Sequence, residues 1–500
     1  MGTKSPGSGR EAFQLIAHGT TRVCGNTAPA PHSMNTSVPV VLLACGFGGK
    51  DVLAGYGALG VARTLGRLGI PVYLVSDRGT FPIASSRYWK DTFTWDLSVP
   101  VDRSLRFLLD VGRRVGSLPI LLPTTDRTAV FVAEHGGVLG EGFTFPKVSP
   151  AQVRSLTNKW QMFLGAKANG IPAPETIFPH SRDDIVDFLD GARFPVMLKG
   201  ADPLLCKGTT KEIINNARDL LERYDRAAAA GSPNLIIQEY IPGDDQTVWM
   251  CNAYFDRNSE CLATFTGRKI RQWPPHAGIA TLGVCQANPV VEAATRHFMK
   301  AVGYRGLVEV EYRCDARDGL YKVLDVNPRV SGAFRLSSAT NGTDVVRVYY
   351  LDQTGQAVPS SAPSNGRKWM VEEDIFSAFR YAREGKLTLR QWVGSLRGVE
   401  ETHWFAPDDP LPILVWCWKT LCAAARRLPM ILRRLGRSRD STKRPGEAAD
   451  SRPSPRRASP GWGEEVDGHP TTMLEPGDHE VTHALAALGR PGDAGDGPRP

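Results

Sequence analysis

Leu307-Val-Glu-Val-Glu-Tyr-Arg313 and, after a short break, Leu320-Tyr-Lys-Val-Leu-Asp-Val-Asn-Pro-Arg329 decide how this chain is read. Both runs alternate in character with a period of two, and Asp315-Ala-Arg-Asp-Gly319 between them is turn-like. The pattern predicts an antiparallel hairpin. Side chains two apart on a strand share a face, so Glu309 and Glu311 point one way on the first strand, and Asp325 and Asn327 do so on the second. Pairing lets the two faces converge. Glu311, Asp325 and Asn327 then offer hard oxygen donors together, which suits magnesium, an ion that takes one or two carboxylates and fills its shell from substrate phosphates. A solvated polar edge would carry the same spacing.

Outward from the hairpin, Val248–Phe255 and Cys261–Thr266 read as neighbouring antiparallel strands. Phe194-Pro-Val-Met-Leu-Lys199 is a short apolar strand ending in a lysine, and Asn234–Glu239 is another, with a charged helix at Asn215–Ala230. Pro150–Gly170 reads as one helix with Lys159 early in it, and Ser181 is a cap for the helix Asp183–Leu189. Further upstream, Val38–Cys45, the turn Gly46-Phe-Gly-Gly49, a helix over Val52–Leu68 and Ile70–Val75 form a β-α-β unit. Pro119–Pro123 is a third strand, followed by a helix from Arg127. Strands alternating with helices predict a parallel sheet. The Gly46–Gly49 cluster lacks the full dinucleotide fingerprint, so it is read as a structural turn. Leu-Leu-Ala-Cys45 resembles a lipoprotein cleavage site, but no basic residues stand between Met34 and Val38, and a buried first strand is the better reading.

The 500 residues, 42% apolar and 22% charged, are enough for two to four compact domains. We divide them into a loose leader (1–37), an α/β domain (38–150), a two-lobed domain (151–360) with its hinge near 238–243, a helical extension (361–435) and a disordered tail (436–500). No apolar run reaches the length of a membrane span; the longest, 411–425, includes Lys419. Nine cysteines without a Cys-x-x-Cys pair argue against a disulfide framework or zinc knuckle and for a reducing, cytoplasmic compartment. The net charge of +8 is concentrated between Lys419 and Arg444, where nine basic residues face Asp440 alone. The rest of the chain is balanced, so charge gives no case for nucleic-acid binding. An apolar stretch followed by arginines over 411–444 is instead an expectation of peripheral attachment to an anionic membrane, against a helix simply packed on the body.

Val308–Arg313 with Lys322–Arg329 resembles the metal-binding hairpin of the ATP-grasp superfamily. The resemblance implies an N-terminal Rossmann-like domain followed by the two ATP-grasp lobes, with ATP and magnesium (or manganese) as cofactors. It places the metal ligands on Glu311, Asp325 and Asn327, and an arginine near the transferred phosphoryl group on Arg329. Asp325 is one methylene shorter than the family's usual glutamate. Lys159 and Lys199 fall where the family has its two phosphate lysines. Gln238-Glu-Tyr-Ile-Pro-Gly243 is similar to the hinge, which implies adenine contacts from Glu239, Tyr240 and Ile241 and a ribose contact from Asp244 or, preferentially, Asp245. Gly200–Thr210 stands where the family has a glycine-rich lid but holds only two glycines; Lys207 and Gly208 are the candidates there.

Gly267-Arg-Lys-Ile-Arg-Gln-Trp-Pro-Pro-His-Ala-Gly278 forms a second cluster, and strand alternation puts Lys269 and Arg271 on one face with Arg268 on the other. We expect that pair, with Arg329, to receive a carboxylate and the transferring phosphate. His276 is read as a loop residue, and Cys206 has no base beside it. The resemblance implies an ATP-dependent carboxylate–amine ligase that acts through an acyl phosphate on small-molecule substrates. Ser86-Arg87 and Thr124-Thr125-Asp126 are loop candidates for the acceptor cleft. Two other readings stay open: a carboxylase or carbamoyl-phosphate-type component, and a non-catalytic nucleotide-binding or membrane-docking protein. A homo-oligomer is compatible with each.

Overall fold

Four short strands near the N-terminus pair in parallel in the order β3-β2-β1-β4: β1 (Val40–Ala44), β2 (Val72–Ser76), β3 (Trp89–Thr94) and β4 (Ile120–Pro123). The computed structural model describes residues 34–45, 54–77, 81–205, 211–229, 231, 234–360, 362–423 and 425. The leader up to residue 33, the Gly46–Gly49 turn, Cys206, Lys207 and Gly208, the basic run beyond 425 and the tail lie outside the described residues. Every residue of β1 is buried, as a central strand covered on both faces requires. On one face lie Leu108, Val111, Val132 and Phe143. On the other, the helix Ala54–Gly66 carries Tyr56, Leu59 and Leu65 into a core shared with Tyr254, Phe334, Tyr350 and Trp404 from the second half of the chain. Strand β3 was not expected. Its sequence, Trp-Lys-Asp-Thr-Phe-Thr, is polar because it is a largely exposed edge.

The single helix expected over 150–170 is two, Pro150–Thr157 and Lys159–Ala168. Asn158 ends the first in an extended conformation and caps the second, its side chain accepting from the backbone N–H groups of Trp160 and Gln161. Lys159 therefore opens a helix rather than lying within one. Ser181 caps Arg182–Leu189, with Asp184 returning the bond.

A small antiparallel sheet follows in the order β5-β8-β6-β7: β5 (Thr176–Ile177), β6 (Val196–Gly200), β7 (Glu212–Ile214) and β8 (Leu235–Glu239). A seven-stranded sheet completes the fold, ordered β13-β12-β9-β10-β11-β14-β15: β9 (Val248–Phe255), β10 (Cys261–Trp273), β11 (Ile279–Cys285), β12 (Gly306–Cys314), β13 (Tyr321–Asn327), β14 (Lys368–Met370) and β15 (Val399–Thr402). Val308, Val310 and Tyr312 on one face of β12 pack with Phe298 and Met299 of the helix Pro289–Ala301. The opposite face carries Leu307, Glu309 and Glu311.

The final described helix, 411–423, is fixed by one side only. Ile413 and Trp416 pack on the core, and the Trp416 indole donates to Glu373 at 2.9 Å. Leu411, Leu414, Trp418 and Leu421 are 53–69% exposed. Among the described residues no helix is long and apolar enough to cross a membrane.

Candidate active site

The hairpin has the expected register. Glu311 stands opposite Asp325 and Glu309 opposite Asn327, with β12 paired to β9 along its other edge. A cleft between this hairpin and the small sheet is lined by Lys199, Lys211, Glu239, Tyr240, Ile241, Gln272, Glu311 and Arg313, among others.

Each hairpin acid except Glu309 is met by a lysine. Lys159 Nζ lies 2.7 Å from Asp325 Oδ1, and Lys269 Nζ lies 2.7 Å from Glu311 Oε2. Burial alone would raise the Asp325 carboxyl, but Lys159 and Lys199 outweigh it and hold the group below its ordinary value. Burial, reinforced by Lys159 and Lys211, pushes Lys199 well below the ordinary lysine range. Burial likewise lowers Lys211. Glu309 is raised to about 7, by burial first and by Glu311 second. Arg329 bridges the two halves of the chain: its Nε donates to Asp126 Oδ1 at 2.7 Å and its Nη2 to Asn327 Oδ1 at 3.1 Å.

Lys269 is placed by its own loop. Its ammonium donates to the Gly278 carbonyl at 2.9 Å. A Cβ on Gly278 would fall 2.1 Å from the Trp273 backbone, so only glycine permits that approach. The expected partnership of Lys269 with Arg271 fails. Between these residues β10 advances two positions while β11 advances one, and the register is restored before Gln272. The irregularity turns Arg271 to the other face, where it pairs with buried Asp374 at 2.5 Å and donates to Ser395. Lys269 and Gln272 stay on the cleft side.

The hinge residues Glu239, Tyr240 and Ile241 all line the cleft. The Glu239 carboxylate is held by Arg317 at 2.6 Å. Arg313 lies 5.2 Å over the Tyr240 ring, donates to Thr247, and binds the carbonyl of Gly243, a residue at φ +139°. Asp245 does not fit the ribose role. Its carboxylate is buried and accepts from Gln272 and Tyr381, so it braces the cleft wall from behind. Ser86 and Arg87 likewise leave the acceptor list, because both bind buried Asp409. Thr124 bonds the Leu43 carbonyl and Thr125 caps a helix; of that loop Asp126 alone reaches the site.

Sequence reasoning missed Lys211, Arg313 and Gln272, and named Asp126 only as one of three loop candidates without its partner. Arg313 continues the period of two through Glu309 and Glu311 and was there to be found. Gln272 was hidden by the β10 irregularity. Lys211 follows the lid stretch in which Lys207 was the choice, and Asp126 lies 203 residues from its partner Arg329.

A model of the family described as "ATP-grasp in the biosynthetic pathway with Ter operon" matches residues 231–373, which includes the hinge, the Lys269 strand and the whole hairpin. Over those residues the chain is similar to the ATP-grasp family. It is 25% identical over 289 residues to a D-aspartate ligase of Enterococcus faecium, a match covering 53% of this chain and 67% of that one. It is 22% identical over 264 residues to the N-terminal section of the carbamoyl phosphate synthase large chain of Methanopyrus kandleri, covering 50% of this chain and 45% of that protein. The fold is similar to that of an L-amino acid ligase from Bacillus licheniformis, with a TM-score of 0.50, 13% identity, and coverage of 67% of this chain and 79% of that one. Each of these is a similarity of sequence or of fold to a protein named as a ligase or synthase.

The donor set suits magnesium in company with phosphates. Among the described residues no group of three or more His, Cys, Asp or Glu side chains is arranged as an all-protein metal cage. Two facing carboxylates and an amide oxygen, ringed by lysines, match an ion that completes its shell from a nucleotide.

Proposed function

We propose that this protein is an ATP-dependent carboxylate–amine ligase acting through an acyl phosphate. The observation that carries the reading is the convergence of Lys159, Lys199, Lys211 and Lys269 on the Glu311–Asp325 end of the hairpin. Glu311, Asp325 and Asn327 would hold magnesium, whose role when bound is to neutralise charge on the nucleotide phosphates. Lys159 and Lys199 serve the phosphates of ATP, with Lys211 where Lys207 had been expected. The substrate carboxylate attacks the γ-phosphorus, ADP leaves, and the acyl phosphate is then taken by an amine with release of phosphate. Such transfer depends on positioning and charge rather than on a protein nucleophile. Lys269 and Arg329 are the groups assigned to the transferring phosphoryl.

Screening carboxylates, bicarbonate included, for magnesium-dependent ADP release with hydroxylamine as trap tests this. A hydroxamate formed from an organic acid supports the ligase. Release with bicarbonate alone would move the protein to the carboxylase or carbamoyl-phosphate class, and no release with any acid would leave a nucleotide-binding module.

The exposed arc of helix 411–423 favours a second, compatible reading: peripheral attachment to anionic lipid, with Arg426 and Arg427 close behind Leu421 in sequence. Each basic residue near such a surface adds about 1 kcal/mol. Flotation with vesicles rich in phosphatidylglycerol at low salt is expected, and Trp418→Ser should reduce it. No flotation at low salt would end this reading.

A further inference from the structure

One face of β12 leads from an apolar cavity to the nucleotide cleft. Leu307 lines a cavity of about 200 Å³ whose other walls include Pro123, Val132, Ala133 and Tyr349. Glu311, four residues on, lines the cleft. Glu309 stands between them on the same face. The register places Asn252, Glu309 and Asn327 side by side across β9, β12 and β13. This row differs from the Glu311 row in lacking a cation seated on its acid. Glu309 is 9% exposed, and among the described residues its carboxylate has no hydrogen bond or ion pair. Asn252 is 2% exposed, and its amide nitrogen has no partner. A buried amide nitrogen such as that of Asn252 is ordinarily satisfied, and leaving it unpaired is costly unless a bound group completes it. Arg329 lines the cavity and reaches Asn327, which ties the cavity to the end of the hairpin.

We infer that this row and cavity form the site of the amine substrate, and that the amine has an apolar body. The inference rests on the ligase reading above. The amino group donates to Glu309, Asn252 donates to a neighbouring polar atom of the same molecule, and the apolar body fills the cavity beside Leu307. Lys147, Arg305 and Arg329 line that cavity and no acidic residue does, which favours an amine that also bears an anionic group. Glu309 in this role is a binding and positioning residue. The placement sets the nitrogen beside Arg329, where an acyl phosphate would be attacked.

Equilibrium binding by calorimetry, without ATP, tests the inference apart from turnover, with leucine as probe, both enantiomers tried, and glycine as the small control. Wild-type protein is expected to bind leucine more tightly than glycine. Glu309→Gln, which keeps size, should weaken leucine about tenfold or more, the loss of a charge-assisted bond. Ala133→Phe, which sets a ring into the cavity, should weaken leucine while changing glycine by less than about threefold. In turnover, Glu309→Gln should raise the KM for amine about tenfold or more, with a smaller effect on kcat. Leucine binding that is absent from wild type, or unchanged in Glu309→Gln, overturns the inference. Loss of trapped ADP release in Glu309→Gln overturns it too, because Glu309 would then serve the metal or nucleotide. Leucine binding without any trapped hydroxamate would overturn the ligase reading while leaving the amine site standing.

Discussion

Strands β12 and β10 belong to one sheet, and each carries charged residues two positions apart, yet they treat that spacing differently. On β12 the register with β9 runs unbroken from Gly306 to Arg313, so Glu309, Glu311 and Arg313 all face the cleft side. On β10 the irregularity beside Ile270 separates Lys269 from Arg271 and sends them to opposite faces. The same two-residue spacing yields a row of charged groups on one face in one strand. In the other it yields one cleft lysine and one structural arginine. A period of two assigns faces only where the ladder is regular, and a single extra residue reverses every later assignment.

The largest expected effect tests the regular strand. Glu311→Gln removes one of two facing carboxylates and frees Lys269 from its partner at 2.7 Å. Magnesium-dependent ADP formation should fall by about a thousandfold, an effect of roughly 4 kcal/mol on the transition state. Far-ultraviolet circular dichroism should be unchanged. Turnover near the wild-type rate would mean that convergence of Glu311 with Asp325 is structural, and the contrast with β10 would lose its functional side.

The contrast also explains what could be read in advance. The hairpin was legible because β12 alternates strictly and the turn is short; the irregularity in its partner falls at Leu324, before Asp325 and Asn327, and leaves that pair on one face. The parallel sheet was legible through the buried runs of β1, β2 and β4. Strand β3 was not, since an exposed edge carries no apolar signature. The failure at Arg271 is of another kind. Nothing in Gly267–Trp273 marks the irregularity, and what stabilises Arg271 on its far face is Asp374, about a hundred residues later. Asp126 with Arg329 and Asp245 with Tyr381 are similarly long-range pairings, set by packing of whole elements rather than by neighbours in sequence. Asn158 was not singled out at all, because the helical pattern runs through it, and its role as a cap emerges only from the structure.

The smaller effect separates the two residues of β10. Lys269 is 1% exposed and faces Glu311, so Lys269→Met keeps the aliphatic stem and removes the charge together with its bond to the Gly278 carbonyl. ADP formation should fall about a hundredfold, near 2.7 kcal/mol, with little change in Tm. Arg271 is enclosed with Asp374, whose side chain is 1% exposed, and both Thr281 and Trp392 donate to the same carboxylate. Arg271→Leu strands that carboxylate without its cation. Stability should fall by roughly 3 kcal/mol, because breaking one side of a buried pair leaves the other charge uncompensated. At a temperature where the variant is still folded, its turnover should remain within about threefold of wild type. Adding Asp374→Leu to Arg271→Leu should recover part of the lost stability, since two apolar groups replace a broken pair. The comparison breaks if Arg271→Leu loses turnover while keeping its Tm. That result would put the guanidinium in the cleft during the reaction and make the β10 irregularity a movable feature rather than a fixed one.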